Sequence, residues 1–153
     1  NNINLTLINQ DNVAVLRPLL AHPELLTAAG LTYSPTMGLL GFQLIAKRER
    51  LFAITVNGET AGILLLTHRY REDGQIIPDR MEIGYAVLPD FQHQGVATRA
   101  VQQLIIHLKQ RPGSIALIAE IAIGNHRSTA VVERCGFRPI GVCQGVQHWE
   151  LHI

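Results

Sequence analysis

Cysteine is scarce. The 153-residue chain has two, Cys135 and Cys143, eight residues apart. With no second pair and no nearby CxxC, they build neither a disulfide framework nor a zinc site. The expectation is two half-buried thiols in a reducing compartment. Charge is scarce as well: charged residues make up 16% of the chain and the formal net charge is +1. There is no basic run and no acidic tail, so no nucleic-acid partner is expected. Long apolar runs are missing, and none approaches the ~20 residues that cross a bilayer. The opening NNINLTLINQ has neither the charged start nor the apolar core of a signal peptide. A soluble cytoplasmic protein with no membrane partner is the expectation. The seven histidines show no metal-ligand spacing, so no metal is expected.

Apolar residues make up 47% of the chain, a globular proportion. The length suits one domain over 1–153, large enough to bury a core without staples. Residues 3–8 alternate as a strand does. Residues 11–29 read as a broken helix, interrupted at Pro18, restarted at Pro23-Glu24 and stopped by Gly30. Ser34-Pro35 reads as a helix cap with proline in the first turn. Met37, Leu40, Leu44 and Ile45 follow as the apolar stripe of that helix. Asn57-Gly58 between two apolar runs signals a tight hairpin. Residues 71–79 read as a polar loop, 81–88 as a strand, and 95–110 as a helix with Ala97, Val101, Leu104 and Leu108 on one face. Residues 115–123 read as a buried strand. Asn125 caps a helix that Gly136 closes, and two strands with a very short link finish the chain. This order makes a mixed α/β (α+β) sheet with helices packed on it. The strand–helix–strand over 81–123 is a right-handed parallel crossover.

The turn PDFQHQGVA, residues 89–97, lies between a strand and a helix. A helix start presents backbone N–H groups without internal partners and about half a positive charge. Such a start is an anion site, and Gly95 lets a ligand approach the backbone closely. Gln92-x-x-Gly95-x-Ala97 resembles the [RQ]-x-x-G-x-[GA] acyl-CoA motif of the GNAT acetyltransferases. Downstream, Asn125-x-x-Ser128 and Glu133-Arg134-Cys135-Gly136-Phe137 resemble that family's second cofactor motif. EIGYAVLPDFQHQGVA is most similar to the RimJ/RimL type, which acetylates N-terminal amines of ribosomal proteins and includes many small-molecule enzymes. The specific motifs lie in 82–137.

The resemblance implies an acyl-CoA N-acyltransferase fold with splayed central strands and flanking helices. It implies acetyl-CoA as acyl donor, with the pyrophosphate on the backbone of His93, Gln94, Gly95, Val96, Ala97 and Thr98, next to Gln92. Val87 and Leu88 would pair with the pantetheine arm as an added strand does, Asn125 would hold the arm from the far side, and an N–H near Val87 or Leu88 would serve the oxyanion. The turn departs from the family in charge, because many relatives carry arginine at Gln92. Arg99 and Arg127 either supply that charge or belong to a solvated helix face.

Acetyl transfer to an amine needs a base, an oxyanion donor and a partner for the leaving thiolate. Glu120 interrupts an otherwise apolar strand, IALIAEIAI. A lone buried carboxylate is rare and has base-like character, whereas a carboxylate paired with an arginine is structural. Glu82 shares its face with the small Gly84 and Ala86 and matches the glutamate of the RimJ/RimL-type EIGY stretch. It is either a base or a polar strand start. Where many GNAT enzymes carry a tyrosine acid this chain has Val132, which leaves Ser128 as the matching thiolate partner. Ser128 also suits the third position of a capped helix. Tyr85, opposite in alternation to Glu82, is expected in the core. Both cysteines lack a neighbouring histidine in sequence and are poor nucleophiles. His148 and His152 flank Glu150 on one strand face and read as an exposed polar face, with Trp149, Leu151 and Ile153 opposite.

By resemblance, the acceptor cleft forms from the region before Ser34-Pro35, the 70–80 loop and the last hairpin. The short link around Cys143-Gln144-Gly145 leaves that cleft open, or completed by a second copy in a homodimer. The loop charges, Arg69, Arg71, Glu72, Asp73, Asp79 and Arg80, cancel and decide nothing about the acceptor. The reading is an N-acetyltransferase for a primary amine: a protein N-terminus, an amino acid or a small amine. The alternatives are a non-catalytic acyl-CoA sensor of the same fold and an interaction protein without a cofactor.

Overall fold

Strand β1 (Ile3–Leu7) runs antiparallel to β2 (Arg50–Val56), and β2 turns into β3 (Glu59–Tyr70). Asn57 and Gly58 make that turn with φ of 50° and 83°, the left-handed pair a two-residue hairpin requires. β3 pairs with β4 (Ile76–Val87), and helix α3 (Val96–Lys109) crosses to β5 (Ala116–Ala122), parallel to β4. β6 (Arg138–Cys143) and β7 (Val146–His152) form the closing hairpin, and β7 inserts beside β5. The seven-stranded sheet has the order β1-β2-β3-β4-β5-β7-β6. This is the computed structural model of the chain, and it describes residues 2–31 and 37–153. No described helix is long and apolar enough to cross a membrane.

The two faces are covered differently. One face carries Leu64, Leu66, Ile83, Leu117, Ala119, Ile121 and Trp149, and these pack against α3 and α4 (His126–Arg134). The other face is covered on its β2–β4 side by a 3₁₀ helix (Val13–Ala21), α1 (Pro23–Ala28) and α2 (Leu39–Arg48). The second core cluster contains no residue of β5, β6 or β7. On that half Glu120, His148 and Glu150 share the face with the buried Ala116 and Ile118, and the site uses it.

Four sequence expectations change, and one lies outside the described residues. The first helical piece is 3₁₀ rather than α. Its buried residues are Val13, Leu16 and Leu19, a spacing of three that matches three residues per turn, and Pro18 has no N–H for an α-helical bond. In α2 the buried residues are Gly41 and Phe42, while Leu40 and Leu44 are 53% and 43% exposed. The fully buried Phe42 ring sets the inward face; of the expected stripe Ile45 packs against the same cluster, while Leu40 and Leu44 are turned away from it. The polar loop is shorter than 71–79, because β4 begins at Ile76. The register shifts between His68, opposite Met81, and Arg69, opposite Ile77. This bulge accommodates Pro78, which has no ladder donor. Cys143 is exposed, and Cys135 alone is half-buried. The cap at Ser34-Pro35 falls outside the described residues.

Gly84 is where α1 and the sheet meet. A Cβ at Gly84 would lie 1.9 Å from the Ala29 carbonyl oxygen. Gly84→Ala should therefore destabilise the fold by roughly 2 kcal/mol or more, the cost of overpacking against backbone. Gly141 in β6 has open space around it, so Gly141→Ala should stay within about 0.5 kcal/mol of the parent. Urea unfolding midpoints check both. Equal stability of the two variants would mean that α1 does not bear on Gly84.

Candidate active site

β4 and β5 pair only from Arg80–Ile83 against Ala116–Ala119. Beyond Ile83 the strands part. Tyr85, Val87, Asn125, Ser128 and Val131 line a cavity of about 130 Å³ there. It adjoins one of about 320 Å³ between the turn and α4, reached by His93, Gly95, Thr98 and Arg134. Val87, Gln92, Ala97, Arg127 and Val131 line both. The result is a narrow arm opening into a wider chamber at a helix start.

The turn has the backbone of an anion site. His93 and Gly95 take left-handed φ values of 63° and 73°, and alternating handedness of this kind gathers N–H groups into a concavity. Gly95 is the N-cap of α3 and supplies no side-chain acceptor, so the first-turn N–H groups are left for a ligand. Gln92 Nε2 donates to the Val87 carbonyl at 2.9 Å, and Gln92 Oε1 accepts from Arg127 Nη1 at 2.7 Å. Arg127 Nη2 also lies 3.3 Å from His93 Nε2. Arg127 thus spans the chamber mouth from α4. Gln94 Nε2 turns back to the Asp90 carbonyl at 3.1 Å.

The far wall is the start of α4. Asn125 Oδ1 accepts from the Ser128 N–H at 3.2 Å, the cap expected from sequence, worth about 1 kcal/mol. Tyr85 crosses the gap and donates to the Ser128 carbonyl at 3.1 Å. Burial pushes its hydroxyl pKa well above the ordinary value. Tyr85 packs against the core, as expected, and also lines the cavity. Val132 is fully buried. The Leu88 N–H is donated to the Ala61 carbonyl at 2.7 Å, on the β3 side. By strand alternation the Val87 backbone faces the gap.

Both glutamates lie on the opposite face of the same two strands, and the structure brings them together. Arg69 Nη1 is 2.5 Å from Glu82 Oε1 and 2.9 Å from Glu120 Oε1. His148 Nδ1 lies 3.3 Å from the same Glu120 oxygen. Glu120 is therefore not the lone buried carboxylate its apolar strand suggests; its side chain is 31% exposed and ion-paired. Burial pushes the Glu82 carboxyl above its usual range, the Arg69 hydrogen bond opposes this, and the Glu120 charge adds to it. Further along, Glu150 accepts from Arg80 at 2.8 Å and lies 2.7 Å from His152 Nε2. The polar face expected on β7 exists, but as paired groups.

Sequence reasoning passed over Arg69 and His148. Arg69 looked like one of several cancelling loop charges, and His148 like an exposed strand residue. Cross-strand register is what joins them: Thr67 faces Glu82, and Glu120 faces His148. With the register known, their period-two positions would identify them.

Comparison with known proteins agrees with this geometry. No curated protein sequence matches the chain. Solved structures do. Aminoglycoside acetyltransferase AAC(6')-Ib in complex with coenzyme A matches at TM-score 0.78 and 16% identity, over 98% of this chain and 94% of that one. RimL, a ribosomal alpha-N-protein acetyltransferase in complex with coenzyme A, matches at 0.78 and 21%, over 100% and 95%. The GNAT domain of S. lividans PAT matches at 0.79 and 18%, over 100% and 92%. At these identities the likeness is one of fold. The family described as acetyltransferase (GNAT) domain matches residues 5–138, and the chain belongs to it.

Proposed function

We propose that this chain transfers the acetyl group of acetyl-CoA directly to a primary amine. One observation carries the reading. The gap between β4 and β5 opens at an anion-binding turn, and the back of the same two strands bears two carboxylates. The N–H groups of 93–98 hold the pyrophosphate, with Arg127 beside them. The Val87 backbone pairs with the pantetheine arm, and Asn125 holds the arm from α4. Arg69 neutralises only one of the two carboxylates, so the acceptor side is acidic and attracts an ammonium ion.

The chemistry balances as follows. The acceptor ammonium loses one proton to Glu82 through a chain of bridging waters, because Glu82 lies roughly 16 Å of strand from Val87. The free amine attacks the acyl carbon, a C–N bond forms and the C–S bond breaks. The Val87 N–H stabilises the developing oxyanion. The second proton leaves the nitrogen for the departing sulfur, which the Ser128 hydroxyl hydrogen-bonds. Amide, free thiol and one proton on Glu82 result, and that proton passes to solvent. The titration sign is fixed by the base: Glu82 must be ionised, so the rate rises with pH through its raised pKa.

Thermal unfolding with acetyl-CoA tests the donor site. Ligand at about 100 times its dissociation constant should add about 2.7 kcal/mol, and Gly95→Glu should lose that gain. A folded protein that gains nothing at millimolar ligand would end the cofactor reading. Thiol release with an amine panel tests turnover, and Glu82→Gln should lower kcat by about 10²-fold or more. Binding without turnover on any amine would instead favour an acyl-CoA sensor.

Direct transfer also needs no cysteine. Burial pushes the Cys135 thiol up to about 11, and its Sγ lies 3.7 Å from the Thr98 carbonyl, while Cys143 is exposed. Iodoacetamide at pH 8 should label Cys143 well before Cys135 by mass spectrometry, and Cys135→Ser should keep its turnover. Loss of turnover in a folded Cys135→Ser would indicate a covalent route.

A further inference from the structure

Two carboxylates on adjacent strands share one guanidinium nitrogen. Arg69 Nη1 reaches both Oε1 atoms from the end of β3. Among the described residues, the Oε2 atoms of Glu82 and Glu120 take no hydrogen bond. The charged and titratable groups facing Glu82 are Arg69 from β3, Glu120 from β5 and His148 from β7. From the α1 side the described contact is the Ala29 backbone at Gly84. Glu120 lies just past the last β4–β5 pair, Ile83 with Ala119, at the first step of the gap. Glu82 lies deeper.

We propose that Arg69 is the positioning residue of the acceptor site, binding Glu82 and Glu120 into one monoanionic unit that receives an ammonium group with no carboxylate beside it. This rests on the acetyl-transfer reading above. Without Arg69 the two like charges repel and the side chains part. With it, each carboxylate is fixed through one oxygen and keeps the other for the acceptor. Glu120, at the mouth, holds the ammonium. Glu82, where burial disfavours the charge, takes the proton. An acceptor bearing its own carboxylate next to the amine brings a third negative charge to a site with one guanidinium already shared twice. Amines, amino-acid amides and peptide N-termini fit this unit, and free amino acids do not.

The test has one arm without turnover and one with it. In protein carrying ¹³C-labelled glutamate carboxyls, the titration of Glu82 is followed by NMR with no substrate present. Arg69→Met removes a hydrogen bond and a positive charge that favour the ionised form, so the Glu82 titration should move to higher pH. Glu120→Gln removes a like charge, so it should move to lower pH. Arg69→Lys keeps the charge and should fall between Arg69→Met and the parent. An unmoved Glu82 in folded variants overturns the proposal. If Arg69→Met does not fold, Arg69→Lys and Glu120→Gln decide it by the same readout.

In the turnover arm, Arg69→Met should lose about 10²-fold in kcat/KM, and the acid limb of its pH–rate profile should move up with the titration. Acetyl-CoA binding should be unchanged. The parent should acetylate glycinamide in preference to glycine. A parent that prefers glycine, with a preference that Arg69→Met abolishes, would make Arg69 a reader of the acceptor's carboxylate and overturn the positioning role. If no amine turns over in the parent, the proposed function falls, and the NMR arm still judges whether Arg69 joins the pair.

Discussion

The functional half of this molecule depends on how briefly β4 and β5 stay together. They share four residue pairs and then part, while each keeps a long partner on its other side, β3 for β4 and β7 for β5. The sheet is thus two smaller sheets hinged at one end. Strand edges that separate leave backbone groups without a ladder, and buried groups of that kind cost roughly 1–3 kcal/mol each. The protein meets part of that cost with side chains. Gln92 donates to the Val87 carbonyl, and Tyr85 spans the gap to the Ser128 carbonyl. Tyr85 also sets the distance from β4 to α4. The gap is therefore braced at a definite width.

The same parting explains the acidic face. α1 and α2 cover the β2–β4 side of the second sheet face, and their cluster takes in no residue of β5 or β7. Glu82, Glu120, His148 and Glu150 occupy the remainder, and each finds a partner across strands. A half-buried carboxylate without one would be strongly disfavoured. Arg69 follows the bulge at Pro78, where the β3–β4 register shifts, and from there its side chain serves two of them. A backbone irregularity at a sheet edge re-aims one long side chain, and the charge of the proposed acceptor site follows from it.

What was legible in the sequence was local. Asn57-Gly58, the Gly95 helix start and the Asn125 cap each state their conformation within a few residues, and all three appear in the structure. The 3.6-residue period gave α3 and most of its buried face, with Val101, Leu104 and Leu108 buried. In α2 the same reasoning was right only for Ile45, which packs against the core. Leu40 and Leu44 outnumber Phe42, but burying one aromatic ring against the 3₁₀ helix outweighs them. The acidic cluster was half legible. Apolar context singled out Glu120, and the family pattern singled out Glu82. Their joint partner could not be read, because it lies 13 residues from one and 51 from the other and is joined to them by sheet register alone.

The turn raises a last physical point. In a neutral turn, the gain from binding an anion rests on N–H groups and a helix dipole, with Arg127 and Arg134 lining the same chamber. Arg127 is already engaged, by Gln92 at 2.7 Å and by His93 at 3.3 Å, and Gln92 in turn holds the Val87 carbonyl. In the proposed reading, an arm that pairs with the Val87 carbonyl takes the place of the Gln92 Nε2, while Gln92 Oε1 still accepts from Arg127. One hydrogen bond is exchanged for another at Val87, with little net gain. A charge-assisted contact from Arg127 to phosphate would be roughly twice as strong as a neutral one. Gln92 thus ties the strand at Val87 to the cation at the chamber mouth through its two ends.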